Sequence, residues 1–339
     1  MKADGYGHGA DGCASAALDG GATRLAVATA NEAEDIGRRF QHVPLLTMGA
    51  LTQSDVDVAL AAGSEIAVWR DEFLRLVAGR AAAQGRPAKV HLKLDSGMGR
   101  LGTTDASELI GMAEACERDE NLKLVGVWTH FATADERDDD FFGEQLRRFT
   151  PLAEELKGRY PGVTVHAANS AAVLRDPAAH FDMARCGIAI YGLDPFQQDP
   201  APQGLEPALE LRSYVADVKR FAAGASAGYG RTWRASADTF VGVLPIGYGD
   251  GVRRGLSNNA EVLVDGRRYP LVGTVSMDNI TIDLGPETDV EPGAEAVLIG
   301  SQGEERILAE EVAGRLDTIN YEVTCGISAR VPREQAEAN

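Results

Sequence analysis

The chain has 339 residues, 44% of them hydrophobic and 25% charged, the composition of an ordinary globular protein with room for two domains or one large barrel and an appendage. Its 33 Lys and Arg against 51 Asp and Glu leave a formal charge of −18, which repels phosphate backbones and argues against a nucleic-acid or anionic-membrane binder. No apolar run reaches the roughly 18 residues of a membrane span, the first residues lack the apolar core of a secretion signal, and Cys13, Cys116, Cys186 and Cys325 have no metal-ligand spacing, so a reduced, cytoplasmic, metal-free enzyme is expected.

From the N-terminus, short apolar runs at 24–28, 43–48, 65–69, 89–94, 124–130, 163–166 and 184–191 read as strands. Between them 31–40, 71–84, 107–116 and 144–157 have helical character, with Asn31 and Asp71 as N-caps and Glu34 closing a capping box. Apolar strands alternating with helices predict parallel strands covered on both faces, an α/β barrel. Seven strands are one short of the usual eight, and the first would have to precede Lys2, where only Met1 stands.

Beyond Pro202 the pattern changes. Runs at 211–219, 240–245, 261–264, 269–275, 280–284 and 294–299 read as strands between Gly, Asp and Pro turns, with a hairpin turn at 264–267 and one helix at 308–316. The expected organisation is a βα barrel over 1–202 and a mainly β domain over 203–339.

In such a barrel chemistry belongs at the C-terminal ends of the strands. Lys2, the 93–100 segment with Lys93 and Arg100, His130, the 166–170 segment with His166, Asn169 and Ser170, and Arg185 with Gly187 and Ile188 fall there. An amine, cations and backbone donors, with no His–carboxylate cluster and no P-loop, suit an anionic cofactor.

The segments KADGYGHGA, KLDSGMGRLG, HAANSAA, RCGIAIYG, GYGRTW, PIGYGDG, GTVSMD and INYEVTCGISARVPR together resemble bacterial alanine racemase, a pyridoxal-phosphate (PLP) enzyme. They run from Lys2 to Arg333 in the family's order. The resemblance implies a PLP-binding TIM-type (βα)8 barrel, its first strand absent here, followed by a β domain. It implies interconversion of L- and D-alanine by a head-to-tail homodimer, supplying D-alanine for peptidoglycan.

Position by position, the resemblance makes Lys2 the Schiff-base lysine and one of two bases, and Tyr229 the second base, contributed by the partner subunit. Racemisation needs one proton-handling group on each face of a planar carbanion, so two bases are a physical requirement. His130 and His166 are candidates for tuning that phenol. Arg185 would face the pyridine nitrogen; a guanidinium donates and keeps its proton, so the ring is a weaker electron sink and transamination is disfavoured. Tyr6, Ser170, Tyr321 and the backbone of Gly187 and Ile188 would hold the phosphate, with Asn169 a neighbouring contact. Arg100 would touch the PLP phenolic oxygen and the substrate carboxylate, and Lys93 matches a lysine often carbamylated, an anion able to orient Arg100. Tyr321, Tyr248 and Met277 would crowd the substrate side chain, and Asp278 would steady the loop carrying Met277.

Two departures stand out. Thr274 occupies a position where many members carry Arg, a change expected to alter no catalytic group. The preceding strand is missing, so the chain as written is expected to be poorly active or prone to aggregate through open strand edges. A broad-specificity or serine racemase, a non-catalytic PLP carrier and a truncated pseudo-enzyme are the alternatives; the β domain with Tyr229 and Tyr321 counts against the carrier.

Overall fold

A computed structural model of the chain describes residues 1–335; the last four positions of the expected 203–339 domain lie outside the described residues. The chain divides into two units, one formed by Met1–Gly5 with Ala10–Ile190, the other by Tyr6–Gly9 with the chain from Tyr191 onward.

The first unit begins with a short turn, α1 (Lys2–Tyr6), and α2 (Ala10–Asp19), then alternates strand and helix. These are β1 (Leu25–Val27), α3 (Ala30–Arg39), β2 (Leu45–Thr47), α4 (Gln53–Ala61), β3 (Glu65–Val68), α5 (Asp71–Ala83), β4 (Ala88–Lys93), α6 (Ala106–Arg118), β5 (Leu122–Trp128), α7 (Phe141–Arg159), β6 (Thr164–His166) and α8 (Ser170–Arg175). The strands form a parallel sheet in the order β1 to β6, part of a βα barrel wall. β2 and β3 are buried along their whole length, as parallel strands covered on both faces must be. α5 buries Phe73, Leu74, Val77, Ala78 and Ala81, the three-to-four spacing of one helical face.

Three local expectations are corrected. Residues 184–191 are not a strand: the segment ends in a 3₁₀ turn at Ile188–Tyr191, and the amides of Gly187 and Ala189 turn to Ser170 Oγ instead of a ladder. The cap of α3 is Thr29, not Asn31, because Glu32, not Glu34, stands three residues on and closes the capping box. Asp71 lies inside α5, whose N-cap is Arg70.

The second unit is antiparallel. β7 (Leu211–Tyr214), β8 (Asp217–Phe221), β9 (Ser226–Ala227), β10 (Trp233–Arg234), β11 (Thr239–Leu244), β12 (Glu261–Val264), β13 (Arg267–Pro270), β14 (Ile280–Gly285), β15 (Glu295–Gln302) and β16 (Glu305–Ile307) precede α9 (Ala309–Arg315) and α10 (Asn320–Cys325). They pair as β14–β11–β8, as β13–β12–β15–β16 with β7 on β15, and as a β9–β10 ribbon. The hairpin turn between β12 and β13 is as expected, with positive φ at Asp265 and Gly266. The expected strand at 211–219 is two strands, β7 and β8, and α10 is a second helix.

Candidate active site

Lys2 opens α1, and Ala3, Asp4 and Gly5 after it have left-handed backbone angles (φ 52°, 52° and 61°). L-residues resist that conformation, so bonds from outside the turn hold it. Ala3 N–H donates to Glu32 Oε1 at 2.7 Å, and Asp4 Oδ1 accepts Ala10 N–H at 2.8 Å. The other Glu32 oxygen accepts Ala28 and Thr29 N–H. One carboxylate thus ties the end of β1, the cap of α3 and the backbone beside Lys2.

A line of buried polar side chains crosses the sheet interior. Arg185 Nη1 lies 2.9 Å from His166 Nδ1, His166 Nε2 2.9 Å from His91 Nδ1, and His91 Nε2 2.7 Å from Glu65 Oε2. Burial, then neighbouring cations such as Arg185, keep His166 neutral, and burial outweighs Glu65 to lower His91 as well. Neutral rings fix every proton. Arg185 can only donate, so His166 Nδ1 accepts, His166 Nε2–H donates to His91, and His91 Nε2–H donates to the carboxylate. Desolvation opposes ionisation of Glu65, but the bond from His91 and the charges of Arg24 and Lys89 hold it below the ordinary carboxylate value.

The line fits because β4 slips register against β5 between Val90 and His91, opposite Gly126. A Cβ on Gly126 would lie 1.9 Å from His91 Nδ1; only glycine leaves room for the ring.

Arg185 is fixed on its other side by Thr129 and Ala167 carbonyls, both 2.8 Å from Nη2, and by His130 Nδ1 at 3.2 Å. Its Cζ lies 4.7 Å from the Trp128 ring centroid, and Lys93 Nζ 4.4 Å from the same ring. Burial lowers the Arg185 guanidinium to about 9. The Lys93 amine falls to about 8 through burial and the nearby charges of Arg100 and Arg185. His130 is pushed well below its ordinary value first by burial, then by Arg185, Arg100, Lys93 and Lys2. Five residues far apart in sequence therefore act on one another, and the field they make is positive.

Arg100 sits in the loop after β4. Asp95 accepts the amides of Gly97 at 2.9 Å, Gly99 at 3.1 Å and Arg100 at 3.0 Å, which sets the loop around one carboxylate. Gly102 must be glycine: its φ is 134° and a Cβ would meet Asp95 N at 2.5 Å. After β6, Asn169 caps α8 by accepting Ala172 N–H at 2.9 Å. Ser170 Oγ accepts Gly187 N–H at 2.9 Å and Ala189 N–H at 3.2 Å. Ile188 is fully buried beside them.

In the second unit the Tyr6 ring lies 5.2 Å from that of Tyr191 and 5.9 Å from that of Tyr321. Burial, with Cys325 close by, holds the Tyr6 phenol up at about 12. Tyr229, Tyr248 and Met277 are exposed at 72%, 45% and 53%. Asp278 bonds Arg330 Nη2 at 2.7 Å, and Arg330 also grips Asp250 with Nε at 2.7 Å and Nη2 at 3.0 Å. Arg330 thereby clamps the Tyr248 loop to the Met277 loop, whose backbones already pair through Tyr248 N–H to Ser276 O and Gly249 N–H to Met277 O.

Glu65, His91, Glu32 and Arg330 were not among the expected residues. The signal for His91 was available, since it lies two residues from Lys93 in a strand and so on the same face. Glu65 was legible as a carboxylate opening an otherwise apolar run.

A half-buried guanidinium backed by neutral imidazoles, with an amine nearby at the strand ends, is the arrangement of a barrel enzyme. The family models agree with that class. The model described as "Alanine racemase, N-terminal domain" matches residues 1–195, and "Alanine racemase, C-terminal domain" matches residues 208–335. The alanine racemase of Symbiobacterium thermophilum is 42% identical over 335 residues, covering 98% of this chain and 88% of its own. That of Geobacillus stearothermophilus is 43% identical over 342 residues, covering 98% and 85%. The crystal structure of alanine racemase from D-cycloserine-producing Streptomyces lavendulae superimposes with a TM-score of 0.93 at 34% identity, covering 100% of this chain and 90% of that one. The chain belongs to the alanine racemase family, a family of amino-acid racemases.

Proposed function

We propose that this chain interconverts L- and D-alanine with pyridoxal phosphate, as a homodimer with shared active sites, in the cytoplasm, supplying D-alanine for peptidoglycan. The observation that carries the reading is Arg185: half-buried, paired with no carboxylate among the described residues, and held by neutral His166 and His130. That donor set fits the cofactor, since a guanidinium so placed gives a hydrogen bond to a pyridine nitrogen without giving up a proton. When bound, the cofactor draws electrons from the substrate Cα and loosens its hydrogen.

The chain's own groups then handle the proton. Lys2 Nζ acts on one face of Cα and Tyr229 Oη on the other. Arg185 would donate to the pyridine nitrogen without releasing its proton, which would weaken the electron sink and favour return of the proton to Cα over transamination. Ser170 Oγ, which accepts the amides of Gly187 and Ala189, keeps its own hydroxyl proton for a phosphate oxygen. Asn169 supports it by capping α8, and the phosphate roles of the Gly187 and Ile188 backbone follow from the family motif. The phosphate roles of Tyr6 and Tyr321 follow from the family motif alone.

Arg100 orients the substrate carboxylate. Lys93, with its amine lowered to about 8, has an appreciable neutral minority near physiological pH, which is able to add carbon dioxide. The N–C bond forms, the proton leaves to water, and the carbamate anion pairs with Arg100. Tyr248 and Met277, with Asp278 steadying their loops, set the space for the substrate side chain. Exposure of Tyr229, Tyr248 and Met277 supports the homodimer, because a phenolic base works poorly in bulk water and a second copy is what would cover it.

The test is deuterium incorporation at Cα in heavy water across a panel of amino acids, with Lys2→Ala and Tyr229→Phe as variants. Both variants should lose at least about 100-fold in turnover. Serine exchanging as fast as alanine would favour the broad-specificity reading, and exchange in neither would overturn the enzyme.

A further inference from the structure

The segment carrying Tyr229 leaves β9 through a backbone that cannot hold itself. Gly228, Gly230 and Arg231 have φ of 71°, 70° and 50°, and a Cβ on Gly228 would meet Thr274 N at 2.9 Å. The turn rests directly on the backbone at Thr274. With the Tyr229 side chain 72% exposed, packing does not fix its place; the backbone must.

Hydrogen bonds supply that fixing, and their directions are all determined. Gly273 N–H donates to Asn258 Oδ1 at 2.6 Å, which orients the amide so that Asn258 Nδ2–H donates to Thr232 Oγ1 at 3.1 Å. Thr274 Oγ1 donates to the Tyr229 carbonyl at 2.8 Å and lies 3.2 Å from Thr232 Oγ1. One hydroxyl proton is spent on the carbonyl, so Thr232 Oγ1–H is the donor to Thr274. Three bonds run one way, from an Asn held at φ 56°, a conformation asparagine tolerates better than most residues, to the peptide of Tyr229, and a fourth, from Gly273 N–H, holds that Asn.

We propose that Thr274, anchored through Thr232 and Asn258, is a positioning residue that aims the Tyr229 phenol at the reacting carbon. Contrary to expectation, the threonine bears on a catalytic group. This inference rests on Tyr229 being a base, and a short neutral hydroxyl suits the task because it fixes the backbone without putting a charge beside the phenol.

Three variants separate the possibilities: Thr274→Val, which keeps the shape and removes the donor, Thr274→Ser, which keeps the donor, and Thr274→Val combined with Tyr229→Phe. In the PLP-loaded enzyme Thr274→Val should lower kcat about 10-fold with KM for alanine nearly unchanged, since a single such bond shifts equilibria by this order and acts in the transition state. Thr274→Ser should restore most of it. On the Tyr229→Phe background Thr274→Val should add little, because both act through one phenol. Amide hydrogen exchange in the cofactor-free protein should quicken at Gly230 and Arg231 in Thr274→Val and not in Thr274→Ser. Full losses that simply multiply in the double variant, or exchange unchanged in Thr274→Val, would overturn the positioning role. Wild-type turnover by Tyr229→Phe would instead overturn the base, and the exchange measurement would still decide whether Thr274 holds the turn.

Discussion

At the scale of single residues, two side chains are held in states they would not choose in water. Folding lowers the Lys93 amine from 10.5 to about 8. Between those values the unfolded chain binds more proton than the folded one, so stability rises with pH through that window, and below it the penalty is present in full. Lys93→Met should therefore stabilise the cofactor-free protein near neutral pH by about 1–3 kcal/mol. The gain should shrink as pH climbs from 8 towards 10.5; urea unfolding in carbon-dioxide-free buffer at neutral and alkaline pH measures it. The neighbouring histidine pair is expected to show Nε2–H tautomers by ¹⁵N NMR across physiological pH, because both rings stay neutral. Gly126→Ala intrudes on His91 with a Cβ 1.9 Å from Nδ1, so it should cost about 1–3 kcal/mol in thermal unfolding and disturb those tautomer signals. Arg185 was legible in the sequence through its motif. The Glu65–His91–His166 line behind it was not legible as a line, since its successive members are 26 and 75 positions apart and only a register slip brings them together.

Elements follow the same division between local and tertiary causes. The strands from β1 to β6 were readable because a buried parallel strand needs an uninterrupted apolar run. The segment at 184–191 has the same composition and failed, for its amides find a serine hydroxyl beside it and the Arg185 amide bonds Ala168 O. At the start of α3 the cap falls on Thr29 and not on the expected Asn31. Thr29 prevails because Glu32 closes the capping box on the Thr29 amide and also serves two further amides, those of Ala3 and Ala28. Thr29→Ala should cost about 1 kcal/mol by thermal melting, whereas Glu32→Ala should cost more and also lower turnover, since it releases Ala3 next to Lys2. In the second unit α10 escaped the sequence reading; it is only six residues long, and its Asn320 is buried in bonds to Asp194 and Glu310 that no local pattern announces.

At the scale of the whole molecule, shared active sites make a prediction that single variants cannot. If the lysine and the phenol of one site come from different subunits, mixing unfolded Lys2→Ala and Tyr229→Phe chains and refolding them should recover about a quarter of wild-type activity, as random pairing makes half the dimers mixed and each has one intact site. No recovery would place both groups on one subunit. Chain topology adds a constraint on assembly order. Tyr6–Gly9 belongs to the second unit, where Arg333 Nε donates to Gly7 O across 326 positions and Gly7 packs so closely on Thr324 that a Cβ would sit 2.1 Å from its carbonyl oxygen. During synthesis residues 6–9 wait for the far end of the second unit before their anchor exists, so the stretch that follows the Lys2 turn is fixed late. A ribosome stalled short of α10 would leave residues 6–9 protease-sensitive, and only the emergence of α10 and Arg333 would bring protection.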